Sequence, residues 1–359
     1  MRTYPKNPIY ALKKAFFALI FLFFAGNFSP VFGQEIHETD STVTAAAHGE
    51  NTPISKVIIE HVMDHHTWHF FDGHYGTLYL PVIVYSEERG LEVFSSKHFF
   101  DEHHQPVAYD GYKLENGKVY RGDKPALDFS ITKNVMMLFL NAFVLTFILI
   151  ATARGFKRNR GKAPSGVQSF IEPIVLFVKD EIVKPNIGPK YERYLPYLLT
   201  LFFFILFGNI LGLLPGSGNL TGNIAVTMVL AILTFVITNF SGNKNYWKHI
   251  LWTPGVPLPL RIIILPVEVI GIFTKPFSLM IRLFAAITAG HIVLLSLLGL
   301  TFIFHSWFVG IGSSVFVLFI SLIELLVAGI QAYVFTLFSS LYIGMAVEEH
   351  AHDDHGHGH

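Results

Sequence analysis

Apolar residues in the second half of this chain come in long blocks, with polar residues gathered between them. Asn134–Ala153, Leu195–Leu214 and Asn223–Phe240 are blocks of about twenty residues, the length a helix needs to cross a hydrocarbon core of roughly 30 Å. Two later blocks, Ile262–Phe304 and Ser313–Val347, overrun that length. The first would reach about 64 Å if wholly helical, so tilt, kinks near Pro266 and Pro276, or a partly surface course must absorb the excess. Val167–Val183 mixes apolar positions with Glu172, Lys179, Asp180 and Glu181, which predicts an amphipathic helix on the membrane surface instead of a span. Trp247, Trp252, Pro254, Pro257 and Pro259 mark the segment before Ile262 as kinked and interfacial. The pattern predicts an all-α polytopic membrane protein of about five spanning helices, the last two forming a long tilted pair that turns over His305–Gly312.

The first third reads differently. Residues 1–33 have the form of a secretory signal, with Arg2, Lys6, Lys13 and Lys14 ahead of apolar Ala15–Ala25 and cleavage expected after Gly33. Residues 34–130 are polar and histidine-rich, and Leu78–Tyr85 and Val107–Tyr120 are bounded by Gly, Asp and Pro as short strands are. They predict a small exported α+β domain ahead of a membrane domain over 131–347. The chain closes on an acidic, His-rich tail, 348–359, expected to be solvated.

Composition agrees with the membrane reading: mean hydropathy is +0.47, with 35 Phe and only 14% charged residues. Formal net charge is zero, so no overall field argues for nucleic acid. Cysteine is absent, which excludes disulfides, thiolate metal sites and cysteine nucleophiles. Local charge sets orientation. Arg154, Lys157, Arg158, Arg160 and Lys162 directly follow the first span and belong in the cytoplasm, as do Lys244, Lys248 and Arg261, whereas the outer loop Pro215–Gly222 is uncharged. The 34–130 domain and the C-terminus then lie on opposite sides, periplasmic and cytoplasmic, of a bacterial inner membrane.

Arg282 is the residue this pattern accommodates least. It is the single permanent charge between Pro276 and Ile323, and a guanidinium at bilayer depth costs roughly 2.5–3.5 kcal/mol on insertion scales. Glu268 lies about 21 Å away along a continuous helix and cannot be its direct counter-ion, so the partner is expected on another chain. With the turn near Trp307, an antiparallel hairpin brings Arg282 level with Gln331 and His291 level with Glu324. His291 and Glu324 would form a titratable pair toward the outside, suited to proton entry, with Gln331 and Arg282 deeper. Glu268 and Ser278 are candidates for a second hydrated route toward the cytoplasm. His61, His65 and His69 have the i, i+4, i+8 spacing that would align imidazoles for a metal on a helix, and no HExxH pattern accompanies them. A secondary ion transporter, or a membrane-anchored metal-binding protein acting through residues 34–130, would also use these features; five spans without an internal repeat fit the transporter poorly.

Residues 130–347 resemble the a subunit of the membrane sector of rotary F-type ATP synthases. The resemblance is carried by Arg282-Leu283-Phe284, Ala289-Gly290, Gln331-Ala332-Tyr333-Val334-Phe335 and the run from Phe207 to Gly216. It implies a stator proton channel that is no enzyme by itself, takes no cofactor, and works in the bilayer with a ring of c subunits, a b-subunit stalk and the remainder of the synthase. It implies that Arg282 is the essential cation facing the ring carboxylate, that Glu324, His291 and Gln331 belong to the entry half-channel, and that Glu268 and Ser278 belong to the exit half-channel. Ala285-Ala286 stand where many members have Gly-Asn, so no channel role carries over to Ala286. The exported His-rich domain has no counterpart in that resemblance.

Overall fold

The computed structural model describes residues 64–69, 77–86, 89–101, 107–115, 117–122, 124–159, 163–214, 217–251, 257–304 and 307–348. The expected signal 1–33, His61 and the tail beyond Glu348 lie outside them. The domain ahead of the membrane helices is built from short antiparallel strands: β1 (Thr67–His69), β2 (Thr77–Tyr79), β3 (Pro81–Ser86), β4 (Gly90–Ser95), β5 (Tyr112–Glu115), β6 (Lys118–Arg121), β7 (Lys124–Pro125) and β8 (Leu127–Asp128). β1 pairs with β2, and two three-stranded sheets run in the orders β4-β3-β8 and β5-β6-β7. Alternation along β3 buries Val82 and Val84 with Phe99, Tyr112 and Val119, leaving Pro81 and Tyr85 exposed. Asp110 and Gly111, both at positive φ, make the two-residue turn between Tyr109 and Tyr112, whose backbones exchange hydrogen bonds of 2.8 and 2.9 Å. The strands expected within 78–85 and 107–120 are present, but 107–111 is turn.

This domain is fastened to the first membrane helix. Asp64 accepts from the Thr132 hydroxyl at 2.8 Å and from the Asn134 backbone N–H at 3.1 Å, capping the helix that starts at Lys133. The backbone N–H of Lys133 donates to the His65 carbonyl at 2.9 Å. Beneath these bonds Trp68 and Leu80 pack on Met137 of that helix, with Leu211 beside them. Near this junction the buried His66 ring pairs with Asp128 at 2.8 Å.

Helix α1 runs over Lys133–Arg158, α2 over Val167–Phe177, α3 over Tyr191–Gly212, α4 over Ile224–Ser241, α5 over Lys244–Leu251, α6 over Leu258–Phe304 and α7 over Trp307–Val347. α2 continues through a π-helical stretch, Val178–Val183, and a helical turn, Lys184–Ile187, before Gly188 at positive φ redirects the chain into α3. Among the described residues, five helical segments are long and apolar enough to cross a membrane. α7 packs against α6, α3 and α4, while α1 lies against α2 and α3. Leu198, Phe203, Leu279, Leu283, Ala332 and Ile343 form part of the shared core. The boundaries depart from expectation: α6 begins at Leu258 and continues through Arg261, α7 begins already at Trp307, and both Pro266 and Pro276 lie inside unbroken helix. With 47 and 41 residues, α6 and α7 reach about 70 and 62 Å, well beyond one bilayer core.

Candidate functional site

The antiparallel register of α6 and α7 is fixed at close range by Gly290 and Glu324. Glu324 lies against Gly290 so closely that a Cβ there would stand 2.9 Å from its Oε1 and 3.1 Å from its Cγ. These two residues are level in the expected hairpin within one position. Glu324 is only 4% exposed, and its Oε2 has no hydrogen-bond partner among the described residues. A buried carboxyl oxygen in that condition calls for water or a mobile donor. The expected partner, His291, follows Gly290 directly and is half-buried.

Around Glu324 the helices are joined by polar side chains. One turn along α7, the Ala328 carbonyl accepts from Asn209 Nδ2 of α3 at 3.3 Å, and Asn209 Oδ1 accepts from the buried Thr221 hydroxyl. Thr288 on α6 approaches the Gly222 carbonyl at 3.5 Å. Asn209 and Thr221 escaped the sequence reading. Asn209 lies within the apolar block 195–214, where a single amide is compatible with ordinary helix contact.

Arg282 is half-buried and meets no carboxylate within 4 Å among the described residues. It does not reach Gln331. Its guanidinium carbon instead stands 4.4 Å from the centroid of the Phe338 ring, two turns farther along α7. Gln331 is half-buried and makes no hydrogen bond among the described residues.

Toward the other end of α6, Lys275 Nζ lies 5.5 Å from the Tyr342 ring centroid. Lys275 and Tyr342 line a small cavity of about 20 Å³ with Thr234, Thr238, Asn239 and Tyr246. The Tyr246 phenol, on α5 outside the spans, is pushed up to about 12 by burial and, secondarily, by the Glu268 charge nearby. Glu268 is therefore close to this polar cluster, whereas Ser278 is exposed on α6.

The proposed histidine ligands do not share a helix. His65 is outside regular structure and His69 ends a β-strand, so helical spacing does not align them. Among the described residues no three His, Cys, Asp or Glu side chains are grouped for a metal.

The sequence profile of the family described as ATP synthase A chain matches residues 135–344. A second profile, described only as a domain of unknown function, matches residues 57–136, the strand-built domain and its junction with α1. The chain is 47% identical over 238 residues to ATP synthase subunit a of Chloroherpeton thalassium, an alignment covering 65% of this chain and 71% of that protein. It is 38% identical over 326 residues to ATP synthase subunit a of Pelodictyon phaeoclathratiforme, covering 89% of this chain and 83% of the relative. With ATP synthase subunit a of Anaeromyxobacter dehalogenans identity is 46% over 240 residues, or 64% and 61% of the two chains.

Proposed function

The chain belongs to the ATP synthase A chain family, and from that premise we propose which of its residues move protons and how. It is the multi-pass, proton-translocating stator subunit of the membrane sector of F-type ATP synthase, not catalytic by itself, and works with the c-ring and the b subunits. Arg282 is the fixed cation that confronts each ring carboxylate. The observation that carries this role is a guanidinium within a membrane hairpin with no acid of its own chain within 4 Å among the described residues.

A ring carboxyl can face lipid cheaply only when protonated, because its ionised form costs several kcal/mol there. As a protonated site leaves lipid and nears Arg282, the positive charge stabilises the carboxylate, and its proton departs by the exit half-channel of Glu268 and Ser278. Rotation carries the emptied site past Arg282. Glu324, His291 and Gln331 form the entry half-channel that reprotonates it, and the orphaned Glu324 oxygen is the acceptor available to an arriving proton. Because Arg282 separates the routes, a proton crosses only if the ring turns. The membrane potential adds roughly 2.3 kcal/mol per charge per 100 mV.

The orientation that suits this cycle has the strand-built domain periplasmic and the C-terminus cytoplasmic, supported by the five cations that close α1 and the loop after it. The deciding experiment is Arg282→Ala in the assembled synthase. Coupled ATP synthesis should be abolished while c-ring and b subunits still co-purify; normal proton-driven synthesis by that variant would refute the assignment.

A further inference from the structure

Two cations on α6 rest on two aromatic rings of α7. Arg282 Cζ is 4.4 Å from the Phe338 centroid, and Lys275 Nζ is 5.5 Å from that of Tyr342. The two rings are themselves 6.0 Å apart and inclined at 39°. Phe338 and Tyr342 are one helical turn apart, and Lys275 and Arg282 two turns, so each cation has a ring of its own.

We propose that Phe338 is a positioning residue for proton translocation: its ring face seats the Arg282 guanidinium at a set depth without neutralising it. The inference rests on the reading of Arg282 as the cation that meets the ring carboxylate. Three kinds of seat were chemically open to that side chain. A carboxylate would cancel the charge the mechanism requires. An amide such as Gln331 would accept one or more of the N–H groups that a carboxylate needs for two-point contact. An aromatic face attracts the cation through its quadrupole, leaves the N–H donors at the guanidinium edge free, and exchanges no proton.

The seat also has a direction. Phe338 is seven residues beyond Gln331, about 10 Å along α7, so the guanidinium is held beyond the level that the hairpin numbering assigns to Arg282 and Gln331. In the orientation proposed above, that displacement is toward the cytoplasmic exit, so the positive charge acts where the ring carboxyl has to give up its proton. The contact involves no hydrogen bond, so the planar group can shift over the ring face toward a passing carboxylate without breaking one. Phe338 brings no ionisable group of its own to this point.

Stepwise fluorination of Phe338 tests the seat, because mono-, di- and trifluorophenylalanine weaken the ring's negative face at nearly constant shape. The variants are made in the complete synthase alongside Phe338→Trp and Phe338→Leu, with proton-driven ATP synthesis measured in vesicles and c-ring co-purification as the assembly control. The expected result is a stepwise fall in rate with each fluorine, retention in Phe338→Trp and a loss of about tenfold in Phe338→Leu. A flat fluorine series, or a wild-type rate in Phe338→Leu, overturns the proposal and leaves the ring as packing. Should Phe338→Leu fail to assemble, the fluorine series alone decides. Arg282→Ala run in parallel separates the two claims: if it abolishes synthesis while fluorination has no effect, Arg282 keeps its role and only the seat is lost.

Discussion

Gly290 leaves the space that Glu324 fills. A Cβ at position 290 would come within 2.9 Å of Glu324 Oε1, nearer than such atoms approach, so the acid keeps its place only while α6 carries no side chain there. Gly290→Ala should therefore displace the carboxyl and lower proton-driven ATP synthesis severalfold. Adding Glu324→Asp, one methylene shorter, should recover part of the loss. Synthesis rates of the single and double variants in vesicles provide the check, and equal rates in wild type and Gly290→Ala would remove Glu324 from the route.

The level assigned to His291 and Glu324 makes a separate prediction. Exchanging them, His291→Glu with Glu324→His, should retain more proton transport than either single change, since an acid and an imidazole would again share one depth. Passive proton permeability of the membrane sector measures this. A double variant no better than both singles would mean that the two do not act as a pair.

Acid should loosen the strand-built domain through Asp128. Burial alone would raise its carboxyl, but hydrogen bonds from the His66 ring and from Ser130 outweigh burial and hold it below the usual carboxylate range. A depressed folded value means that its stabilisation is full above the unfolded value, near 3.9, and is lost as pH falls through the folded one. Domain stability, followed by Trp68 fluorescence in the purified synthase, should fall below about pH 4 in wild type. Asp128→Asn should be less stable at neutral pH and show a shallower dependence across that acid window.

At Gly344 an added Cβ would collide with the Asn186 carbonyl oxygen, and it would lie 2.9 Å from that residue's carbonyl carbon. Both obstacles are backbone and cannot rotate away. Gly344→Ala should cost about 1–3 kcal/mol, the range for forced overpacking, and should lower the thermal midpoint of the detergent-solubilised complex. An unchanged midpoint would mean that the junction between Lys184–Ile187 and α7 is looser than its geometry implies.

Much of this architecture is legible in the sequence because a bilayer demands helices of sufficient apolar length, and those leave blocks that the structure shows as long helices. The hairpin register follows from two polar pairs falling level, and Gly290 beside Glu324 agrees with it. Numbering along a helix gives the height of a backbone, however, and not the course of a long side chain. That is why Arg282 was expected beside Gln331 and is found over Phe338. The regular spacing of His65 and His69 carries little weight because periodicity in three residues is weak, and strand pairing of Thr67–His69 with Thr77–Tyr79 overrides it. Helix ends differ from the apolar blocks because backbone hydrogen bonding does not stop where apolar composition does: α6 runs through Arg261 back to Leu258, and α7 takes in the Gly-containing stretch from Trp307 to Gly312.

Asn209 of α3 ties to the Ala328 carbonyl, and nearer the other end of α7 the Ser340 hydroxyl donates to the Ile182 carbonyl at 3.1 Å. These are anchor points at two heights on one long rod. In the proposed cycle a rotor dragging past α6 and α7 pushes them sideways at every step, and an unsupported hairpin would lean with the push and waste the stroke. Fastened at both heights, the rod passes its recoil into α3 and the stretch Val178–Val183, so the torque is spent on the shaft instead of on bending the wall that resists it.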